Sequence, residues 1–313
     1  MPGYPEALTL LAGLSALLLM ATVVGRALAV MYSSDVGSAA TIADLNARID
    51  AWWVMVSVIG IAFAFGFVGV VVLFGLLSFV ALREFMTLTR LRAADHWTLI
   101  AAFFVLLPAQ YYLVWTEWYG LYSILIPVYA FLLLPVASAL RDQPKAFLDR
   151  IAEAQWGVMI TIYCLSHVPA IATLRIPAYD AFLLLPYFLF VVQMSDVLQY
   201  AWGKSLGKTP IAAALSPSKT VEGTVLGIGS ATALGAALWW VTPFTPVEAA
   251  AMSLVTTIIG FMGGLVMSAI KRDRGVKDWG WLIQGHGGIL DRLDSVVFAA
   301  PVFFHLTRYW WAA

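Results

Sequence analysis

The chain has 313 residues, 62% of them hydrophobic and 12% charged, with 18 basic and 18 acidic side chains. Roughly a quarter of the residues of a soluble domain are charged, so this composition excludes an ordinary water-exposed protein and implies an all-α, polytopic integral membrane protein. A net charge of zero singles out no class of partner, nucleic acid is not expected as one, and the lone Cys164 excludes an intrachain disulfide or a multi-cysteine metal site.

Nine apolar runs follow one another at about 5–30, 51–82, 98–115, 120–140, 156–173, 179–201, 224–243, 248–270 and 295–312, and each is read as a transmembrane helix. The first contains Ala27-Leu28-Ala29, which looks like a signal-peptidase site. With no basic stretch before it, Glu6 inside it and a length beyond a typical signal core, it reads as a retained helix. Residues 31–50 read as a polar external loop. The second run exceeds one crossing, so it is tilted, extended into a loop, or two segments.

The loops after the second, fourth, sixth and eighth runs carry 3, 3, 3 and 5 Lys and Arg residues, together 14 of the 18. The positive-inside rule places these loops in the cytoplasm, with the N-terminus cytoplasmic and the C-terminus outside. Trp52-Trp53, Trp115, Trp118, Trp239-Trp240 and Trp310-Trp311 fall at the opposite ends, where indole suits the interface. The chain divides into residues 1–175, hydrophobic helices with no assigned role, and 176–313, which hold every unusual polar cluster.

Three such clusters lie on the expected cytoplasmic side. Ser195-Asp196, with Tyr200, Gly203 and Lys204, ends the sixth run; a carboxylate this close to hydrocarbon is either a functional group or an interfacial Asp that finds water or a lysine. Ser216-Pro217-Ser218-Lys219-Thr220-Val221-Glu222-Gly223 precedes the seventh run. Ser218, Thr220 and the amides after them would sit at a helix N-terminus suited to phosphate, with Lys219 as a mobile positive charge, although an ordinary N-cap explains the same residues.

The third cluster is the loop from Lys271 to Asp294. Asp291 and Asp294, three apart, share a helix face and could share a divalent ion, with Asp278 folding back as a third oxygen donor. Lys271, Arg272, Lys277 and Arg292 would offset phosphate charge, and Gly287-Gly288 would let backbone approach it closely. The alternative is a topology anchor of paired charges. That alternative leaves unexplained why Asp294 runs straight into an apolar span.

The run Ser268, Lys271-Arg272, Lys277-Asp278, His286-Gly287-Gly288 and Asp291-Arg292-Leu293-Asp294 resembles the signature of phosphatidate cytidylyltransferases. Ser216-Pro217 with Lys219-Thr220 and Glu222-Gly223, and Asp196 with Tyr200 and Gly203, resemble two further motifs of that family, in the same order. The resemblance covers about residues 190–295 well; the first 175 match only in being hydrophobic. It implies transfer of a cytidylyl group from CTP to phosphatidic acid or a related lipid phosphate, giving CDP-diacylglycerol and pyrophosphate. It also implies magnesium, room for a second cation of unspecified identity, a homodimer, and a site on the cytoplasmic face of the cell's inner membrane.

Charge chemistry and resemblance together assign metal binding to Asp196, Asp278, Asp291 and Asp294 and phosphate contacts to Lys219 and Arg272. Glu222 would orient Lys219 or a metal-bound water, and His286 would shape the loop. One departure is plain. Many bacterial members read Gly-Asp-Leu, one residue and Glu before the Ser-x-x-Lys-Arg element, whereas Gly264 and Met267 stand at the acidic positions here. Two other readings remain open: a CTP-dependent kinase of polyprenol-type lipids, and a transporter, for which ionisable groups would be expected nearer the bilayer midplane.

Overall fold

The computed structural model describes residues 5–32, 36–89, 95–140, 143–282 and 287–313. Ten helices run through them: α1 (Pro5–Met31), α2 (Val36–Ala64), α3 (Gly66–Thr87), α4 (His96–Trp115), α5 (Tyr119–Ala139), α6 (Phe147–Thr173), α7 (Ala181–Leu206), α8 (Val221–Ala237), α9 (Pro246–Asp273) and α10 (Leu290–Trp311). Strands β1 (Pro210–Ala212) and β2 (Ser216–Thr220) form one antiparallel hairpin between α7 and α8. Six helices, α3 to α7 and α9, are long and apolar enough to cross a membrane.

Two sequence expectations change. The segment 31–50 is helical from Val36, because Ile42, Asn46 and Ile49 recur at helical spacing and turn one buried face toward α1. Asn46 Nδ2 donates to the Gly25 carbonyl at 3.1 Å and Trp53 Nε1 to Thr22 Oγ1 at 3.0 Å, which ties α1 and α2 into a hairpin. The run 51–82 is two helices, broken where Gly66 takes φ +66°, a conformation a side chain disfavours.

Three membrane helices contain a widened π turn, at residues 102–106, 125–130 and 159–164. Each turn contains or shortly precedes a proline, Pro108, Pro127 or Pro169, whose missing N–H breaks the regular ladder. Side chains satisfy carbonyls near these turns: Gln110 Nε2 donates to the Tyr122 carbonyl at 2.9 Å, and the Ser78 hydroxyl to that of Thr161.

The two ends of the bundle are chemically distinct. At one, Arg274 Nη2 meets Glu153 Oε1 at 2.8 Å, Arg272 Nε donates to the Leu215 carbonyl at 3.2 Å, and Glu84 accepts amides from Ile289 and Leu290. The end of α3, the start of α6, the β hairpin, the end of α9 and the start of α10 are thereby drawn to the same end. At the other end Arg175 meets Glu117 at 3.1 Å, Ala313 N donates to the Arg175 carbonyl at 3.0 Å, and the Tyr179 hydroxyl donates to the Val241 carbonyl. A fully buried ion pair closes the basic end of α4, α5 and α6: Arg150 Nε to Asp95 Oδ2 at 2.8 Å, with Ser138 Oγ on Asp95 Oδ1 at 2.9 Å.

Candidate active site

Close backbone approach of α7 and α8 begins the site. A Cβ on Gly223 would lie 2.6 Å from the Gly203 Cα, and one on Gly227 2.5 Å from the Gln199 amide nitrogen, so these positions admit no side chain without separating the helices. Thr220 caps α8, its Oγ1 accepting from Gly223 N at 3.2 Å. The β hairpin ahead of this cap delivers Lys219 toward α9. Its Nζ lies 5.0 Å from the Phe261 ring centroid, and a Cβ on Gly264 would fall 2.8 Å from it.

Glu222 closes the same turn from the other side. Oε2 accepts from the amides of Lys208 and Thr209 at 3.0 and 3.1 Å and Oε1 from the Thr209 hydroxyl at 2.9 Å. The Lys208 amide first, then that of Thr209, push its pKa down to about 2, so it is ionised at neutral pH and shapes the turn rather than accepting a proton.

Asp196 of α7 and Asp294 of α10 line one cavity together with Lys219. The Ser295 amide donates to Asp294 Oδ1 at 2.9 Å, and the Ser295 hydroxyl lies 3.5 Å from the same oxygen. Asp294 Oδ2 accepts no hydrogen bond from a described residue and points toward Gly264, 3.9 Å from where a Cβ would stand there. Without a side chain, position 264 leaves the Lys219 ammonium room beside these carboxylates.

Asp291 does different work. Oδ1 takes the Lys271 ammonium at 2.6 Å, and Oδ2 takes the amides of Trp279 and Gly288 at 2.8 and 2.9 Å. Both oxygens are filled, and the carboxylate folds the loop back onto α10. Gly287, at φ +83°, and Gly288 are glycines because carboxylates crowd them: added Cβ atoms would lie 2.6 Å from Asp291 Oδ2 and 2.4 Å from Glu84 Oε2.

Of the expected residues, Asp196, Ser218, Lys219, Thr220, Asp291, Arg292 and Asp294 line one cavity of about 490 Å³. Ser216 lies on β2 outside that lining, and Lys277 and Asp278 are exposed. Arg272 Nε and Nη1 bind the carbonyls of Leu215 and Val276. His286 lies outside the described residues. Asp278, Asp291 and Asp294 do not gather as a trio; among the described residues no three His, Cys, Asp or Glu side chains are grouped to hold a metal ion.

The sequence reading missed the anchor of the loop. Glu84, at the end of α3, accepts from Ile289 N at 2.9 Å and Leu290 N at 2.8 Å, placing a carboxylate on the N-terminus of α10, and next to it Phe85 stacks on Trp279 at 5.1 Å. The available signal was an acidic residue closing a long apolar run. Glu84→Gln keeps one acceptor of two, and hydrogen bonds to a charged group contribute about 1.5–3 kcal/mol. Amide hydrogen exchange at Ile289 and Leu290 is expected to accelerate, with turnover falling alongside; unchanged protection at both amides contradicts this role.

A family model described as the cytidylyltransferase family matches residues 46–310. Along nearly its full length the chain is similar to the "Uncharacterized protein YnbB" of Escherichia coli (strain K12), 36% identical over 311 residues, 96% of this chain and 97% of that protein. It is similar in part to the phosphatidate cytidylyltransferase of Synechocystis sp., 43% identical over 113 residues, 36% of this chain and 38% of that protein. With that of Bacillus subtilis (strain 168) it shares 41% identity over 123 residues, 38% of this chain and 45% of that protein. The matched segments thus span less than half of each of these two enzymes.

Proposed function

This chain belongs to the cytidylyltransferase family and is a CTP-using nucleotidyltransferase, and from that premise we propose that its acceptor is phosphatidic acid and its products CDP-diacylglycerol and pyrophosphate. One observation carries the proposal: Asp196, Lys219, Arg292 and Asp294 line one cavity whose remaining lining is largely apolar.

An oxygen of the lipid phosphate attacks the α-phosphorus of CTP, and the bond from that phosphorus to the bridging oxygen breaks, its electron pair leaving with pyrophosphate. Two polyanions must meet for this to happen. Lys219 and Arg292 line the cavity and offset their charge, with Ser218 and Thr220 on the same lining as hydrogen-bonding groups for phosphate oxygens. Arg272 and Lys271 act at one remove, holding the loops of Leu215 and Asp291 in place.

Asp196 and Asp294 fit a single magnesium ion. Magnesium takes one or two carboxylates and completes its shell with water and substrate phosphate, and Asp294 keeps one oxygen without a protein donor among the described residues. Gly264 and the fully buried Met267 offer no further carboxylate for a second cation. When bound, the ion supplies charge neutralisation and polarisation of the phosphate under attack.

Lys271, Arg272 and Arg274 at one end support a cytoplasmic site there by the positive-inside rule, with the C-terminus at the opposite end. Residues 176–313 then carry the reacting groups, and α3 of the first half anchors them. The test uses CTP labelled on either the α- or the γ-phosphate, magnesium and phosphatidic acid vesicles. The α label in lipid with release of pyrophosphate supports the proposal; the γ label in lipid with release of CDP makes the protein a lipid kinase.

A further inference from the structure

The cavity has a wall that the charge chemistry does not use. Leu18 and Ala21 of α1 and Ile49, Trp52 and Met55 of α2 line the same cavity as Asp196, Lys219 and Asp294. The family match begins at residue 46, so α1 and the start of α2 lie outside it and still complete the cavity.

The α1–α2 hairpin is fastened mainly to itself. Gly25 meets Asn46 so closely that a Cβ would lie 2.4 Å from its Oδ1, Trp53 binds Thr22, and Arg26 pairs with Asp50 at 3.1 Å. The main contacts of α1 are with α2, and those of α2 beyond it are with α3, to which it is joined at Gly66. Such an element encloses the cavity without being built into the core behind it.

We propose that this hairpin forms the site for the hydrocarbon of the acceptor lipid next to its phosphate, and so selects which lipid phosphate reacts. The proposal rests on reading the site as a CTP:lipid-phosphate cytidylyltransferase. The occupant follows from the two sides of one cavity. A phosphate held at Lys219 and Arg292 leaves the attached chains to continue past apolar side chains, and within a bilayer the ligand that is anionic at one end and apolar beyond it is a lipid. The base of CTP offers a face to stack on one aromatic ring but no hydrocarbon to cover Leu18, Ala21, Ile49 and Met55. Trp52 and Met55 supply large, adaptable apolar contact at the point where two chains diverge from one headgroup.

The test compares kcat/KM for two-chain phosphatidic acid with that for one-chain lysophosphatidic acid in the full-length protein and in Ala21→Trp, Met55→Trp and Trp52→Ala. The two Trp variants narrow the wall and are expected to shift the ratio about tenfold or more toward the one-chain acceptor, since single methylene-scale changes in an apolar pocket are worth roughly 10–200-fold. Trp52→Ala is expected to shift it the other way, with KM for CTP unchanged in all three. An unchanged ratio in active variants overturns the proposal. Photolabelling of the wild-type protein, with phosphatidic acid carrying a diazirine near the carbonyl end of its acyl chains, gives a readout independent of folding in variants and of turnover. Label on residues 18–25 and 49–55, removed by unlabelled phosphatidic acid, supports the site, and label confined to α4–α6 overturns it. A wild-type protein that forms no CDP-lipid from any acceptor defeats the cytidylyltransferase reading, while the labelling pattern still decides whether the hairpin holds lipid.

Discussion

Replacing Asp294 with Asn is expected to lower turnover by on the order of a thousandfold while leaving the purified protein folded, since loss of a charge that stabilises a phosphoryl-type transition state costs several kcal/mol. The carboxylate has little structural work to do. Its Oδ1 accepts the neighbouring Ser295 amide, a bond Asn retains, and the lost charge sits in the cavity that Lys219 and Asp196 also line. Asp291→Asn behaves differently. Asp291 holds Lys271 and two loop amides at a largely buried position, so that substitution is expected to reduce thermal stability together with activity. Measuring kcat and melting temperature in the same preparations separates the two. A stable, fully active Asp294→Asn protein contradicts a catalytic Asp294, and an Asp291→Asn protein of unchanged stability contradicts the structural role of Asp291.

Arg150→Ala is expected to destabilise the folded protein by about 3–5 kcal/mol, the usual consequence of stranding one partner of a buried ion pair. Arg150 and Asp95 are 1% and 0% exposed. Arg150 also donates to the carbonyls of Lys145 and Gln143, so one guanidinium holds the turn before α6 against the start of α4. Asp95→Leu combined with Arg150→Met removes both charges and is expected to recover part of the loss. Denaturation in detergent reads this directly, and a single substitution with no measurable shift contradicts it.

The sequence made the membrane class legible because apolar runs of crossing length need no tertiary information. The charged clusters were legible for the converse reason: Asp196, Lys219 and Asp294 stand out only because their surroundings are apolar. Partners distant in sequence were not legible. Nothing local says that Glu84 caps a helix starting at Leu290, or that Phe85 stacks on Trp279, because those contacts exist only once α3 packs beside the loop. The carboxylates of the third cluster were read by spacing, and spacing could not divide their labour. Asp291 and Asp294 share a helix face, yet one is filled by Lys271 and two amides while the other keeps an oxygen that no described residue fills. Gly287 and Gly288 were expected to make room for phosphate, and the space they leave is taken by Asp291 and Glu84. The polar composition of 31–50 hid its helix, whose buried stripe is short and includes an Asn bonded to the α1 backbone.

Asp196, Lys219 and Asp294 are held here to be one centre for cytidylyl transfer to a lipid phosphate. The most direct measurement follows labelled CMP from α-labelled CTP into phosphatidic acid, with pyrophosphate counted in the same reaction, for the wild-type protein and Asp196→Asn. One pyrophosphate per labelled lipid in the wild type, and loss of both products in Asp196→Asn, is the expected result. Labelled lipid formed at the wild-type rate by folded Asp196→Asn protein, or none formed by the wild type with magnesium and phosphatidic acid present, contradicts it.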